Sequence, residues 1–153
     1  MRSHLLIGCM LLGFAAAGNA QEIVKVKPGE ARASARPDDL FKLAPGQWHL
    51  AKSFWEGQAP CTPEQCEAGF TDGQIAVSVE RAGEYVRITA GYRSCEAVGA
   101  SEVEVGKKPG RPTFGRVRDQ MKRVVKGVSK TCKFSAPSIP DLDVSQLFPP
   151  KQG

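Results

Sequence analysis

Four cysteines, Cys61, Cys66, Cys95 and Cys132, are the residues of this chain with the most reactive side chains, and what they do depends on the redox compartment. In an oxidising space an even set forms disulfides; in the cytosol the same thiols would point to metal binding or redox catalysis. The N-terminus decides between these. Arg2 and His4 precede an apolar run from Leu5 to Ala17, and Gly18-Asn19-Ala20 supplies the small-x-small pattern cut by signal peptidase. A helix of 13 residues rises about 20 Å against a hydrocarbon core of roughly 30 Å, so residues 1–20 read as a secretory signal and not as a membrane span. Leu6-Ile7-Gly8-Cys9 also matches a lipobox that would leave Cys9 as a lipidated N-terminus, yet only Leu5 to Ile7 would then precede the cut as apolar core. Cleavage after Ala20 removes Cys9 and leaves the four cysteines in a periplasmic or extracellular chain.

Two disulfides follow. Cys61 and Cys66 form a C-x4-C pair, and the lone cysteines 29 and 37 positions further on lack the paired knuckles of common zinc folds, so no metal site is expected. Thr62-Pro63-Glu64-Gln65 reads as a helix start, with Thr62 as N-cap, Pro63 at the first helical position and Gln65 closing a capping box. On that register Cys61 and Cys66 occupy the two positions that meet in a hydrophobic staple, which favours Cys61–Cys66 and therefore Cys95–Cys132.

Other catalytic chemistry has few carriers. After the leader the only histidine is His49, placed by alternation on the solvent side of its strand, so a nucleophile–histidine site has one possible base. Glu64, Glu67, Asp72, Glu80 and Glu84 offer carboxylates for a small hydrolase, but their spacing selects no pair. The glycines form no phosphate cradle, and Lys107-Lys108-Pro109-Gly110-Arg111 lacks the Arg-Gly-Arg of a minor-groove hook. No cofactor and no nucleic-acid partner are expected.

Charge is the feature that rises above background. From Lys107 to Lys133 there are ten basic residues and one acid, Asp119, whereas residues 37–106 carry five basic and eleven acidic residues. A one-signed surface concentrates partners of opposite charge. Lys107, Lys108, Arg111, Arg116, Arg118, Lys122, Arg123 and Lys126 are the candidate contact residues. The competing explanation is that basic side chains merely solubilise a helix or offset the acidic part of the fold.

The elements that must position these groups follow from periodicity. Residues 21–37 are rich in Ala, Arg, Lys and Pro and read as a flexible lead-in, with Ile23, Val24 and Val26 as a possible short edge strand. A helical turn is expected at Asp38–Leu43, then a half-buried strand at Gln47–Phe54 with Trp48, Leu50 and Phe54 inward. Ile75, Val77 and Val79 alternate with polar or small residues, a turn at Arg81-Ala82-Gly83-Glu84 follows, and Val86, Ile88, Ala90 and Tyr92 resume the pattern as a hairpin. Val103 and Val105 suggest a further strand, and Cys132 with Phe134 a last one. Between these, Val117, Met121, Val124, Val125 and Val128 fall on about 100° of a helix, with the basic residues opposite and Gly127 as its stop. The prolines Pro137, Pro140, Pro149 and Pro150 indicate a coil that packs a turn at Asp141–Phe148.

The expected architecture is α+β: an antiparallel sheet of about five strands, one main amphipathic helix on one face, and two disulfides. A single domain over residues 38–135 is expected, with a Pro-rich tail over 136–153. The functional expectation is a non-enzymatic binding protein, of inhibitor, immunity or envelope-associated type. It would engage an acidic protein or an anionic envelope polymer through the basic helix and its preceding loop. The alternatives are the carboxylate hydrolase and an accessory subunit of an envelope complex with an apolar patch around Trp55, Phe70 or Leu147-Phe148.

Overall fold

The computed structural model describes residues 37–150, so the leader, residues 21–36 with the proposed edge strand, and Cys9 lie outside the described residues. The chain runs α1 (Pro37–Leu40), β1 (His49–Ala51), β2 (Glu67–Thr71), β3 (Ile75–Ala82), β4 (Tyr85–Tyr92), β5 (Val98–Glu104), α2 (Arg111–Cys132) and a 3-10 turn (Val144–Leu147). The five strands form an antiparallel meander in chain order, with α2 packed over β4 and β5 on one face. Both disulfides are the expected ones, Cys61–Cys66 and Cys95–Cys132, with Cα separations of 4.7 and 5.9 Å.

The β3–β4 hairpin forms where expected and turns at Gly83-Glu84 between the paired Ala82 and Tyr85. Gly83 has φ +64°, which fits the glycine that a two-residue primed turn requires at its first central position. Val77, Val79, Val86, Ile88 and Ala90 then face α2, whose Val117, Met121, Val124, Val125 and Val128 are buried against them. The helix sits close. A Cβ at Gly99 of β5 would run into Val128 and Val124, so a side chain there would lift α2 off the sheet.

Four local expectations are corrected. The strand foreseen at Cys132–Phe134 does not exist: α2 continues through Gly127 to Cys132 and ends on Lys133 in the left-handed region, φ 59°. Gly127 costs a helix about 1 kcal/mol, but Val128 and Ser129 beyond it are buried, and Ser129 Oγ lies 2.6 Å from Tyr92 Oη. The fifth strand is instead β2, a short run whose one large apolar residue, Phe70, gives sequence alternation little to detect.

The segment after Cys61 forms no helix. Gln65 N–H donates to Thr62 Oγ1 at 3.1 Å and Thr62 N–H to the Gln65 carbonyl at 2.9 Å, so the capping residues close a turn inside the disulfide loop. Finally, the strand at Gln47–Phe54 shrinks to His49–Ala51. Leu50 is 37% exposed and Ala51 fully buried, the reverse of expectation. Leu50 does share a face with Ala68, its partner in β2, but β1 is at the far edge of the sheet from α2. The opposite face is covered here by Leu40, Phe41, Leu43 and Phe54, which form a second small core with Ala76.

The C-terminal segment packs its turn as foreseen. Leu142, Val144 and Leu147 are buried in the main core, and Trp48 Nε1–H donates to the Pro140 carbonyl at 2.8 Å. Among the described residues no helix is long and apolar enough to cross a membrane.

Candidate functional site

The 22 residues of α2 extend about 33 Å at 1.5 Å each. With its valine stripe against the sheet, every basic residue singled out from the sequence is exposed: Lys107, Lys108 and Arg111 around its start, Arg116, Arg118, Lys122, Arg123 and Lys126 along it. Asp119 is the one acid among them.

Helix stability does not explain this arrangement. The N-terminus of a helix carries partial positive charge and favours acids, yet the first turn of α2 holds none, and Gly110 provides no side-chain cap. Pro112 eases the start, but Lys107, Lys108 and Arg111 add charge of the unfavourable sign at that end.

Neutralisation by the chain's own acids does not explain it either. The ion pairs among the described residues are Lys42–Asp39, Arg87–Glu80 and Arg87–Glu102, and none involves the eight candidate residues. The reason lies in strand register. Glu67, Glu80, Arg87 and Glu102 are successive partners across β2, β3, β4 and β5. Since alternate residues point to opposite faces, this row lies on the side of the sheet away from α2. Two of its three carboxylates, Glu80 and Glu102, are thus taken up by Arg87, and the row is turned to the face of the sheet opposite α2.

Glu67 of that row is 1% exposed, and its Oε1 has no hydrogen-bond partner among the described residues. Burial first, then the facing Glu80 carboxylate and Asp39, push its pKa up to about 7, against the opposing pull of the Phe54 backbone and Ser78 hydroxyl. Glu67 and Glu80 are therefore the pair that the fold selects from the five candidate acids. Asp72 instead accepts the N–H groups of Gln74 and Ile75 at 2.8 Å in a tight turn. Arg87 and Glu102, which complete the row, were not singled out from sequence; the signal that identifies them is their position on the non-core side of two strands, meaningful only once the register is known.

His49 is half-buried, with Nε2–H donating to the Ala44 carbonyl at 2.8 Å, which ties the ring to its own loop. Trp55 is 44% exposed, but Phe70 and Leu147 belong to the core, so they form no apolar patch with it.

Two cavities flank the basic helix. One, about 460 Å³, lies between α2 and β5, with Arg116, Arg123, Gln120 and Asp119 on the helix side and Glu102 to Glu104 on the strand side. The other, about 470 Å³, lies between α2 and the 136–141 segment, with Met121, Val125 and Ile139 as apolar floor and Lys122 and Lys126 at the rim. Compared with known protein families, curated proteins and solved structures, the chain matches none.

Proposed function

We propose that this is an exported, non-enzymatic binding protein that engages an anionic partner through the basic face of α2 and the loop before it. The observation that supports it most directly is that eight exposed basic side chains lie along α2 and the loop before it with no ion pair among the described residues, while Glu67, Glu80 and Glu102 form a row on the other side of the sheet. Such a dipolar surface steers an anionic partner toward one orientation. Two disulfides suit an oxidising compartment and hold the surface rigid.

The test is affinity capture with the oxidised protein lacking residues 1–20, read by mass spectrometry, beside a Lys122→Glu/Arg123→Glu/Lys126→Glu variant. Capture of the specific partner falls at least tenfold in the variant, and also at about 0.5 M salt, where the screening length shrinks to roughly 4 Å. Capture that is indifferent to both changes overturns the reading. The hydrolase alternative draws support from Glu67 facing Glu80, but a carboxyl that is 1% exposed gives a substrate no access, and Arg87 holds Glu80.

A further inference from the structure

Among the described residues β5 is an end strand of the sheet, with β4 on one side and no strand on the other. Val105 N–H donates to the Glu84 carbonyl at 2.7 Å, which fixes which residues of the antiparallel pair point their backbone groups at β4. Since hydrogen-bonded and non-hydrogen-bonded pairs alternate, Gly99, Ser101 and Val103 turn their N–H and C=O inward to β4. Val98, Ala100, Glu102 and Glu104 turn theirs outward. One of those outward groups, the Glu104 carbonyl, already accepts a hydrogen bond from Arg116 Nη2 at 3.5 Å. An unpaired edge of this length is a template for another strand.

The surroundings of this edge are charged in a definite way. On the helix side Arg116 and Arg123 line the cavity against it, with Asp119 between them. On the opposite side of the sheet lie Glu102, held by Arg87 at 3.2 Å, and the exposed Glu104. A second copy of this chain is a poor occupant: antiparallel pairing of two β5 strands extends one sheet and keeps both α2 helices on the same side, bringing Arg116 and Arg123 of one copy toward those of the other.

We propose that the partner of the basic helix is a protein, and that it docks by adding an extended acidic segment to the outer edge of β5. Main-chain hydrogen bonds to Ala100, Glu102 and Glu104 supply the backbone attachment, and carboxylates on alternate positions reach Arg116 and Arg123 on the helix side. Residues between them face Glu102 and Glu104 and are neutral or basic. This deepens the binding function proposed above and rests on it, while excluding an anionic polymer as the occupant of this edge.

The probes are a blocked nine-residue peptide alternating valine and glutamate, and dextran sulfate, which carries charge without amides. With isotope-labelled oxidised protein, the peptide slows exchange of the Ala100, Glu102 and Glu104 amides at least tenfold, and dextran sulfate leaves them unchanged. Ala100→Pro removes one outward N–H at an edge where proline is tolerated. It weakens peptide binding at least tenfold and leaves dextran sulfate binding as it was. Absence of peptide binding, peptide binding without slowed exchange at these three amides, or full binding by a folded Ala100→Pro protein overturns strand addition. Because the exchange measurement uses the unmodified chain, the test survives a variant that fails to fold. The two proposals also separate: if Lys122→Glu/Arg123→Glu/Lys126→Glu loses dextran sulfate while the amides never slow, the basic surface stands and the strand docking falls.

Discussion

Glu67 shows how one residue can carry a cost that its neighbours do not relieve. Its carboxyl sits between β1 and β3, opposite Ala51 and Glu80, and the only guanidinium in its row is one strand further away on β4. The folded chain holds a proton there up to about pH 7, whereas a free glutamate releases it near 4.5. Between those values the folded state binds more protons than the unfolded one, so stability falls as pH rises from about 4.5 to about 7 and is flat for this group above that. The loss is on the order of 3 kcal/mol. Glu67→Gln keeps the shape without the charge, and urea unfolding at pH 5 and pH 8 should show the variant more stable than the parent at pH 8 and about equal at pH 5. Equal stability of the two proteins at pH 8 contradicts the assignment. Nothing in the sequence distinguished Glu67 from Glu64 or Glu84, because its burial comes from β1, α1 and Phe54, which are brought over it only in the folded chain.

At the scale of elements, α2 lies so close to β5 at Gly99 that an added Cβ would run into Val128 and Val124. Filling that position with Gly99→Val forces the helix outward against a packed valine stripe, which costs about 1–3 kcal/mol; thermal unfolding of the oxidised protein reads it as a lowered midpoint. A Gly99→Val midpoint equal to that of the parent means that α2 is not seated there. Periodicity in the sequence identified α2 and the β3–β4 hairpin because each sets large apolar residues on one face, spaced at 3.6 or at two, against small or polar residues such as Ala76, Ser78 and Thr89 on the other, buried though these are. β2 was missed because Glu67 to Thr71 is short and holds one large apolar residue, Phe70, beside Ala68 and Gly69, too weak a signal for a strand. The end of α2 was misplaced for a related reason: Gly127 is a helix breaker by propensity, and only Ser129 bonding to Tyr92 and Val128 packing on Gly99 show why the helix runs on.

Across the whole molecule, the two bridges join parts that would otherwise separate. Cys95 follows β4 and Cys132 ends α2, so this bridge anchors the helix C-terminus to the sheet through a loop of 38 residues, worth roughly 4 kcal/mol in chain entropy. The Cys61–Cys66 bridge closes a much smaller loop and contributes about 2 kcal/mol on the same basis. Together they are comparable to the total stability of an ordinary domain, about 5–15 kcal/mol. Excess reductant should therefore unfold the protein or lower its melting midpoint sharply, as followed by circular dichroism, and Cys95→Ser/Cys132→Ser should reproduce most of that loss. An unchanged midpoint in reductant would mean that the core alone suffices. The same fold separates charge: the basic residues fall on α2 and the loop before it by sequence, but Glu67, Glu80 and Glu102 are turned to the other side of the sheet by strand register.

Sequence by itself determined the composition of the surface and the covalent frame. The ten basic residues from Lys107 to Lys133 fall in one short stretch of chain, and the Cys61–Cys66 pairing is set by local spacing. Both are short-range properties. Only the tertiary structure decided which strands exist at the sheet's edges, that β5 is an end strand among the described residues with Arg116 beside it, and that Glu67, Glu80, Arg87 and Glu102 line up. Those features depend on pairing between residues far apart in the chain, where a slip of one residue exchanges the two faces of a strand and rewrites every contact.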